Sequence, residues 1–191
     1  MKQVVQAADG GEVRVAKVPI PSIGPTEVLV ETAATIVSAG TERAVTELAR
    51  ANLLAKARAR PDLVRKVVDK ARSDGVAEAV RAVRGRLAAE HPLGYSGAGW
   101  VVEVGSAVAG IRPGDLVATG GAGWANHAEY QAVPGLLCAR VPEQVPAADA
   151  AFATIAAIAL HGLRLAEVGP GSKVVVIGLG LIGQLAARLA A

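Results

Sequence analysis

The sequence predicts an α/β protein whose β-rich first part is interrupted by helices and whose last part opens a doubly wound, parallel-sheet fold. Three observations carry this expectation. Valines alternate with polar residues between turn signals from Lys2 to Val37, and the apolar period becomes helical between Thr41 and Glu90. An apolar stretch from Lys173 to Ile177 then runs directly into Gly178-Leu179-Gly180-Leu181-Ile182-Gly183. Composition agrees: 191 residues, 52% hydrophobic and only 3% aromatic, offer enough Ala, Val, Leu and Ile for a sizeable core of strands and Ala-rich helices.

In the first part, Val4, Val13, Val15, Val18, Val28 and Val30 recur with polar neighbours, and Asp9-Gly10-Gly11 and Pro21 to Pro25 supply the turns. Helical spacing follows in three sets: Leu48, Leu53 and Leu54; Leu63, Val64, Val67 and Val68; Val76, Val80, Val83 and Leu87. Three helices are expected, the second beginning at Pro61-Asp62 and the third after Ser73-Asp74-Gly75. Strands return from Ala98 to Val104, at Val117, from Ala128 to Val133 and from Leu137 to Val141, with a loop at Gly120 to Gly123. Beyond Pro142 the pattern predicts one long helix from about Pro146 to Val168, a turn at Gly169-Pro170-Gly171, a strand from Lys173 to Ile177, and a final helix. That is the opening of a βαβ unit, and the sequence stops at Ala191, before the second strand the unit needs.

Charge and cysteine usage exclude several classes. Between Arg43 and Glu90 lie twelve Lys or Arg against six Asp or Glu, so the basic character belongs to that segment. Interleaved acids and the scarcity of aromatics for base stacking argue against nucleic acid as partner. The most apolar stretch, Ala147 to Leu165, contains Asp149, His161 and Arg164 and reads as a buried helix rather than a membrane span. With no secretory leader pattern at the start, a cytoplasmic protein is expected. The single cysteine, Cys138, precludes an internal disulfide and a four-cysteine zinc site, and reads as an inert buried thiol.

The glycine pattern has a mechanism. Gly178 permits a tight turn, Gly180 lets backbone approach a pyrophosphate, and Gly183 allows close packing of helix on strand. Leu179, Leu181 and Ile182 complete the loop, and the helix N-terminus presents N–H groups and the positive end of its dipole to an anion. A dinucleotide, NAD or NADP, is the expected ligand. The acidic residue that distinguishes them would lie about 20 residues past the loop, beyond Ala191.

Further matches occur in order along the chain. Pro19-Ile20-Pro21-Ser22-Ile23-Gly24-Pro25-Thr26-Glu27-Val28-Leu29-Val30, then Leu93-Gly94-Tyr95-Ser96-Gly97 with Val101 to Gly105, then Gly114-Asp115-Leu116-Val117, and then His127-Ala128-Glu129-Tyr130 with Val133-Pro134 resemble the motifs of medium-chain dehydrogenases/reductases of the zinc-type alcohol dehydrogenase kind. The resemblance implies a GroES-like β-barrel catalytic domain over residues 1–145 with a helical insertion at 44–91. Residues 146–191 would then be a linking helix and the first βα unit of a truncated Rossmann fold. It implies an oxidoreductase moving hydride between NAD(P)H and a carbonyl or activated alkene, and a homo-oligomer in full-length form. The segment Leu54 to Arg65 further resembles the leading halves of bi-domain oxidoreductases that carry a Gfo/Idh/MocA-like second half.

At the family's zinc positions the sequence departs. Its Cys-Gly-Thr-Asp motif corresponds to Ala39-Gly40-Thr41-Glu42, its Gly-His-Glu to Gly94-Tyr95-Ser96, and its third ligand falls at Thr154. A catalytic zinc takes about three Cys, His or carboxylate ligands, so no metal is expected, and His91, His127 and His161 lack ligand spacing. Thr41, matching the family's relay hydroxyl, and Tyr95 are the candidate catalytic residues, and Thr154 is placed beside the nicotinamide. The basic segment suits an anionic or sugar-derived small substrate, or is a solvated helix face. The alternative to an enzyme is a non-catalytic, dehydrogenase-like fragment serving binding or assembly.

Overall fold

The computed structural model describes residues 1–7, 12–38 and 90–191, together with the single positions 40, 65 and 75. The three expected helices of the basic insertion lie outside the described residues, as do Ala39 and Thr41. The chain divides into two compact units, one of Met1–Gln3, Lys17–Ser38 and Gly94–Ala191, the other of Val4–Ala16 and Ala39–Leu93.

The first unit is built on an antiparallel five-stranded sheet. Its strands are β3 (Glu27–Thr35), β5 (Ser96–Val104), β6 (Leu116–Gly120), β7 (Tyr130–Pro134) and β8 (Cys138–Arg140), in the order β7-β3-β5-β6-β8. Val28, Val30, Val101 and Val117 are buried together at its centre, with Val104, Val108, Ile111 and Cys138 packed against them. β-branched side chains on a pleated surface bury well against such neighbours, which is why this valine-rich sequence makes strands here. Gly99 is required where β3 and β5 cross: a Cβ there would run into the Glu31 carbonyl, beside a register shift between Thr32 and Ala34.

In the second unit lie most of β1 (Lys2–Gln6) and β2 (Val13–Lys17), and β4 (His91–Pro92), in the order β2-β1-β4. Val5 pairs with Pro92 and Gln6 with His91, and Arg14 makes a bidentate contact with Glu90 whose closest approach is 2.7 Å.

Two expectations for the last part are corrected. The helix expected over 146–168 is two helices, α1 (Ala147–Ala150) and α2 (Ala153–Leu165). The break has a local cause: the Ser96 hydroxyl donates to the Ala151 carbonyl at 2.6 Å, and the Phe152 N–H turns back to Asp149 at 3.1 Å. The stretch expected as a strand, Lys173 to Ile177, forms no β-ladder. Strand hydrogen bonds need a neighbouring strand, and none of the described ones lies beside it. The final helix, α3 (Leu181–Ala190), is present as expected.

Candidate functional site

Tyr95 sits in the turn before β5, half-buried, its carbonyl accepting the Gly121 N–H at 2.9 Å. That bond ties the turn to the glycine loop after β6. Gly94, with φ +100°, makes the turn possible, and a Cβ there would stand 2.6 Å from the His127 nitrogen. Ser96, next in the chain, is fully buried and spends its hydroxyl on the α1–α2 break.

That break aims α2 at the end of β6. The Thr154 hydroxyl donates to the Thr119 carbonyl at 3.3 Å, and Gly120 leaves the space for it, since a Cβ would lie 2.7 Å from Thr154 Oγ1. Beside them is a cleft of about 430 Å³ lined by Thr119, Gly120, Gly121, Leu137, Cys138 and Thr154 among others, with no charged side chain in its wall. Burial pushes the Cys138 thiol up to about 11, so the thiol is neutral near pH 7 and no nucleophile, consistent with the inert reading. Gly121 and Thr154 line this cleft, and Tyr95 is tied to Gly121 through its carbonyl; Thr41 lies outside the described residues.

Beneath this region runs a buried polar chain that sequence reasoning missed. Thr119 Oγ1 donates to Gln131 Oε1 at 2.8 Å, and Gln131 Nε2 donates to the Asn126 carbonyl at 2.8 Å. All three residues are buried. Nothing in the residue types announces it; only the tertiary placement of β6, β7 and the loop between them brings the groups together. His127 Nδ1 and Thr35 Oγ1 share a hydrogen bond of 2.9 Å, so this histidine is a hydrogen-bonded one.

The Ser96 and Thr154 hydroxyls are donated to backbone carbonyls. Among the described residues, no three His, Cys, Asp or Glu side chains cluster to hold a metal.

The glycine loop has the geometry its sequence promises. Gly178 adopts φ +95°. A Cβ on Gly183 would collide with the Gly178 carbonyl, so α3 starts in direct contact with the preceding segment. A Cβ on Gly180 would meet nothing within 4 Å, leaving open space at the N-cap of α3. The first intrahelical bond, Gln184 N–H to the Gly180 carbonyl, is 3.0 Å, and the Gln184 side chain caps the Leu179 carbonyl at 3.0 Å. The N–H groups of Leu181, Ile182 and Gly183 precede that bond at the helix start, where an α-helix leaves its first N–H groups without intrahelical partners.

No family model matches the chain. In sequence it is 31% identical over 125 residues to "Probable D-xylulose reductase A" of Aspergillus terreus, a match covering 51% of this chain and 35% of that protein. In structure it matches galactitol-1-phosphate dehydrogenase from Escherichia coli with a TM-score of 0.70 and 24% identity, over 100% of this chain and 52% of that one. A Sinorhizobium meliloti protein solved bound to NADP matches with a TM-score of 0.67 and 23% identity, over 99% of this chain and 52% of that one. The chain thus spans about half the length of these solved structures and about a third of the curated relative. At these identities the structural likeness speaks for the fold, which is that of medium-chain alcohol dehydrogenases. The sequence relatives include reductases, a zinc-type alcohol dehydrogenase-like protein of Escherichia coli and, at 39% identity over 104 residues, "Phenolphthiocerol synthesis polyketide synthase type I Pks15/1" of Mycobacterium marinum, of which the match covers 5%; the chain is thus similar to oxidoreductases of the zinc-type alcohol dehydrogenase-like kind. No described helix is long and apolar enough to cross a membrane.

Proposed function

We propose that this chain is the leading part of a zinc-independent medium-chain oxidoreductase that passes hydride between NAD or NADP and a carbonyl or activated alkene. Residues 1–145 act as its GroES-like catalytic domain, and residues 146–191 open its dinucleotide-binding domain. The observation that carries this reading is the Gly178 to Gly183 turn, with its positive φ, its glycine-to-carbonyl contact and its open N-cap. NADP bound to one structural neighbour supports a nicotinamide ligand.

Gly178, Gly180 and Gly183, with the N–H groups of Leu181 and Ile182, hold the pyrophosphate, and Leu179 closes the loop. Thr154 borders the nicotinamide. The cofactor, when bound, supplies or accepts the hydride. With alanine, tyrosine and threonine at the metal positions, Tyr95 and Thr41 serve the substrate oxygen, donating the proton and hydrogen bonds that a metal would otherwise replace. The substrate is a small molecule, anionic or sugar-derived, steered by the basic insertion. The full-length protein works in the cytoplasm as a homo-oligomer.

The test is a titration of the protein with NADH and NADPH, followed by the fluorescence of the reduced nicotinamide. Saturable binding of at least one is expected, lost about tenfold or more in Gly180→Val, where a branched side chain fills the phosphate approach. Elemental analysis of chelator-free protein checks the zinc reading: about one tightly held zinc per chain sinks it. No saturable binding of either nucleotide refutes the dinucleotide assignment.

A further inference from the structure

Two segments bear on the candidate site: β3, which ends at Thr35, and the Gly94-Tyr95 turn, which carries a candidate catalytic hydroxyl. A third segment touches both. His127 Nδ1 shares a 2.9 Å hydrogen bond with Thr35 Oγ1, the last residue of β3. The same residue is pressed onto Gly94, where a Cβ would stand 2.6 Å from the His127 backbone nitrogen and 3.0 Å from its ring Cγ.

The mount of this imidazole is stiff. Gln131, 3% exposed, donates to the Asn126 carbonyl just before His127 and accepts the Thr119 hydroxyl from the end of β6. The other end of the loop is fixed by the Gly121 N–H on the Tyr95 carbonyl, and Trp124 and Ala125 both turn back to the Gly121 carbonyl. Buried hydrogen bonds of this kind hold a single geometry, which a site needs in the groups around its reacting atoms.

We infer that His127 is a positioning residue: through Thr35 and the Gly94 backbone it fixes the turn that presents Tyr95 against the end of β3. This rests on the proposed function, in which the Tyr95 hydroxyl serves the substrate oxygen. Histidine suits the place because one ring nitrogen reaches the Thr35 hydroxyl while the ring carbon lies against a residue without a side chain.

The chain has two tyrosines, Tyr95 and Tyr130, so 3-fluorotyrosine labelling yields two fluorine resonances, assigned with Tyr130→Phe. His127→Leu removes the bond to Thr35; His127→Asn keeps an N–H near the Nδ1 position. Thr35→Val removes the same bond from the other side with little change of volume, and stands in if His127→Leu does not fold. The Tyr95 resonance is expected to move or broaden in His127→Leu and Thr35→Val, and to stay near wild type in His127→Asn and Thr35→Ser. The Tyr130 resonance should hold throughout. In turnover of NADPH with a carbonyl substrate, the disruptive variants should lower kcat about tenfold or more while the NADPH Kd stays within about twofold. A Tyr95 resonance unmoved in His127→Leu or its Thr35→Val stand-in, or moved equally by His127→Asn, overturns the inference. Wild-type protein that binds no nicotinamide dinucleotide counts against the proposed function, and the resonance comparison still decides the link between His127 and Tyr95.

Discussion

The carbonyl of Ala151 receives the hydroxyl of Ser96 at 2.6 Å, across 55 residues of sequence and in a fully buried setting. This bond fastens the start of β5 to the break between α1 and α2. Thr154, one helical turn further on, reaches the Thr119 carbonyl as a consequence.

Ser96→Ala leaves a buried carbonyl without its donor, so a loss of about 1–3 kcal/mol in unfolding free energy is expected by urea denaturation. Ser96→Thr retains the hydroxyl but adds a methyl in a buried site, so its cost reports packing. A Ser96→Ala variant as stable as wild type contradicts the role given to this bond.

The three glycines of the α3 turn should fail in different ways. Gly183→Ala sets a methyl against the Gly178 carbonyl, so the turn must shift, with loss of helicity by circular dichroism or lowered stability even without ligand. Gly180→Ala has open space around the new Cβ, so the fold should be untouched while dinucleotide affinity falls. Equal effects of the two changes on stability would mean that the close contact at Gly183 is not a constraint.

Cys138 offers a pH test. Its thiol is raised by burial to about 11 from the ordinary 9.0, so the unfolded chain releases the proton first as pH rises. The contribution to stability from keeping the thiol neutral is therefore fully present below pH 9 and is lost between about 9 and 11. Alkylation of the native protein by iodoacetamide should be slow at pH 8 and accelerate up to about pH 11, whereas denatured protein should already react quickly at pH 9. Fast native alkylation at pH 7 would show a thiolate, and would reopen this residue as a nucleophile.

Tyr95 is tested in turnover. If it donates the proton, Tyr95→Phe keeps the ring packing and dinucleotide affinity yet lowers kcat by about 100-fold or more. Thr41→Val then tests whether the two hydroxyls act as one relay, in which case the double variant is little worse than the more damaging single one. Near-wild-type kcat in both single variants removes them from the mechanism.

How much of this was legible before folding depended on the range of the interaction. The strands of β3, β5, β6 and β7 were readable because period-2 valines and flanking turn residues are local signals, and the turn at Gly178 to Gly183 was readable because φ, helix start and close packing all act within a few residues. Likewise the absence of Cys and His at three motif positions is a property of the letters alone. The break at Ala151 was not legible: Ala147 to Leu165 is as helical as any stretch in the chain, and only a hydroxyl from β5 tells that carbonyl to leave the helix. Nor was Lys173 to Ile177 decided by its composition, because a strand is a relation between two chains of backbone groups and not a property of one. The Thr119–Gln131–Asn126 chain and the His127–Thr35 bond belong to the same class. Their residues are ordinary in sequence, and what gives them a role is the tertiary placement of strands and loop that brings their polar groups within hydrogen-bond reach.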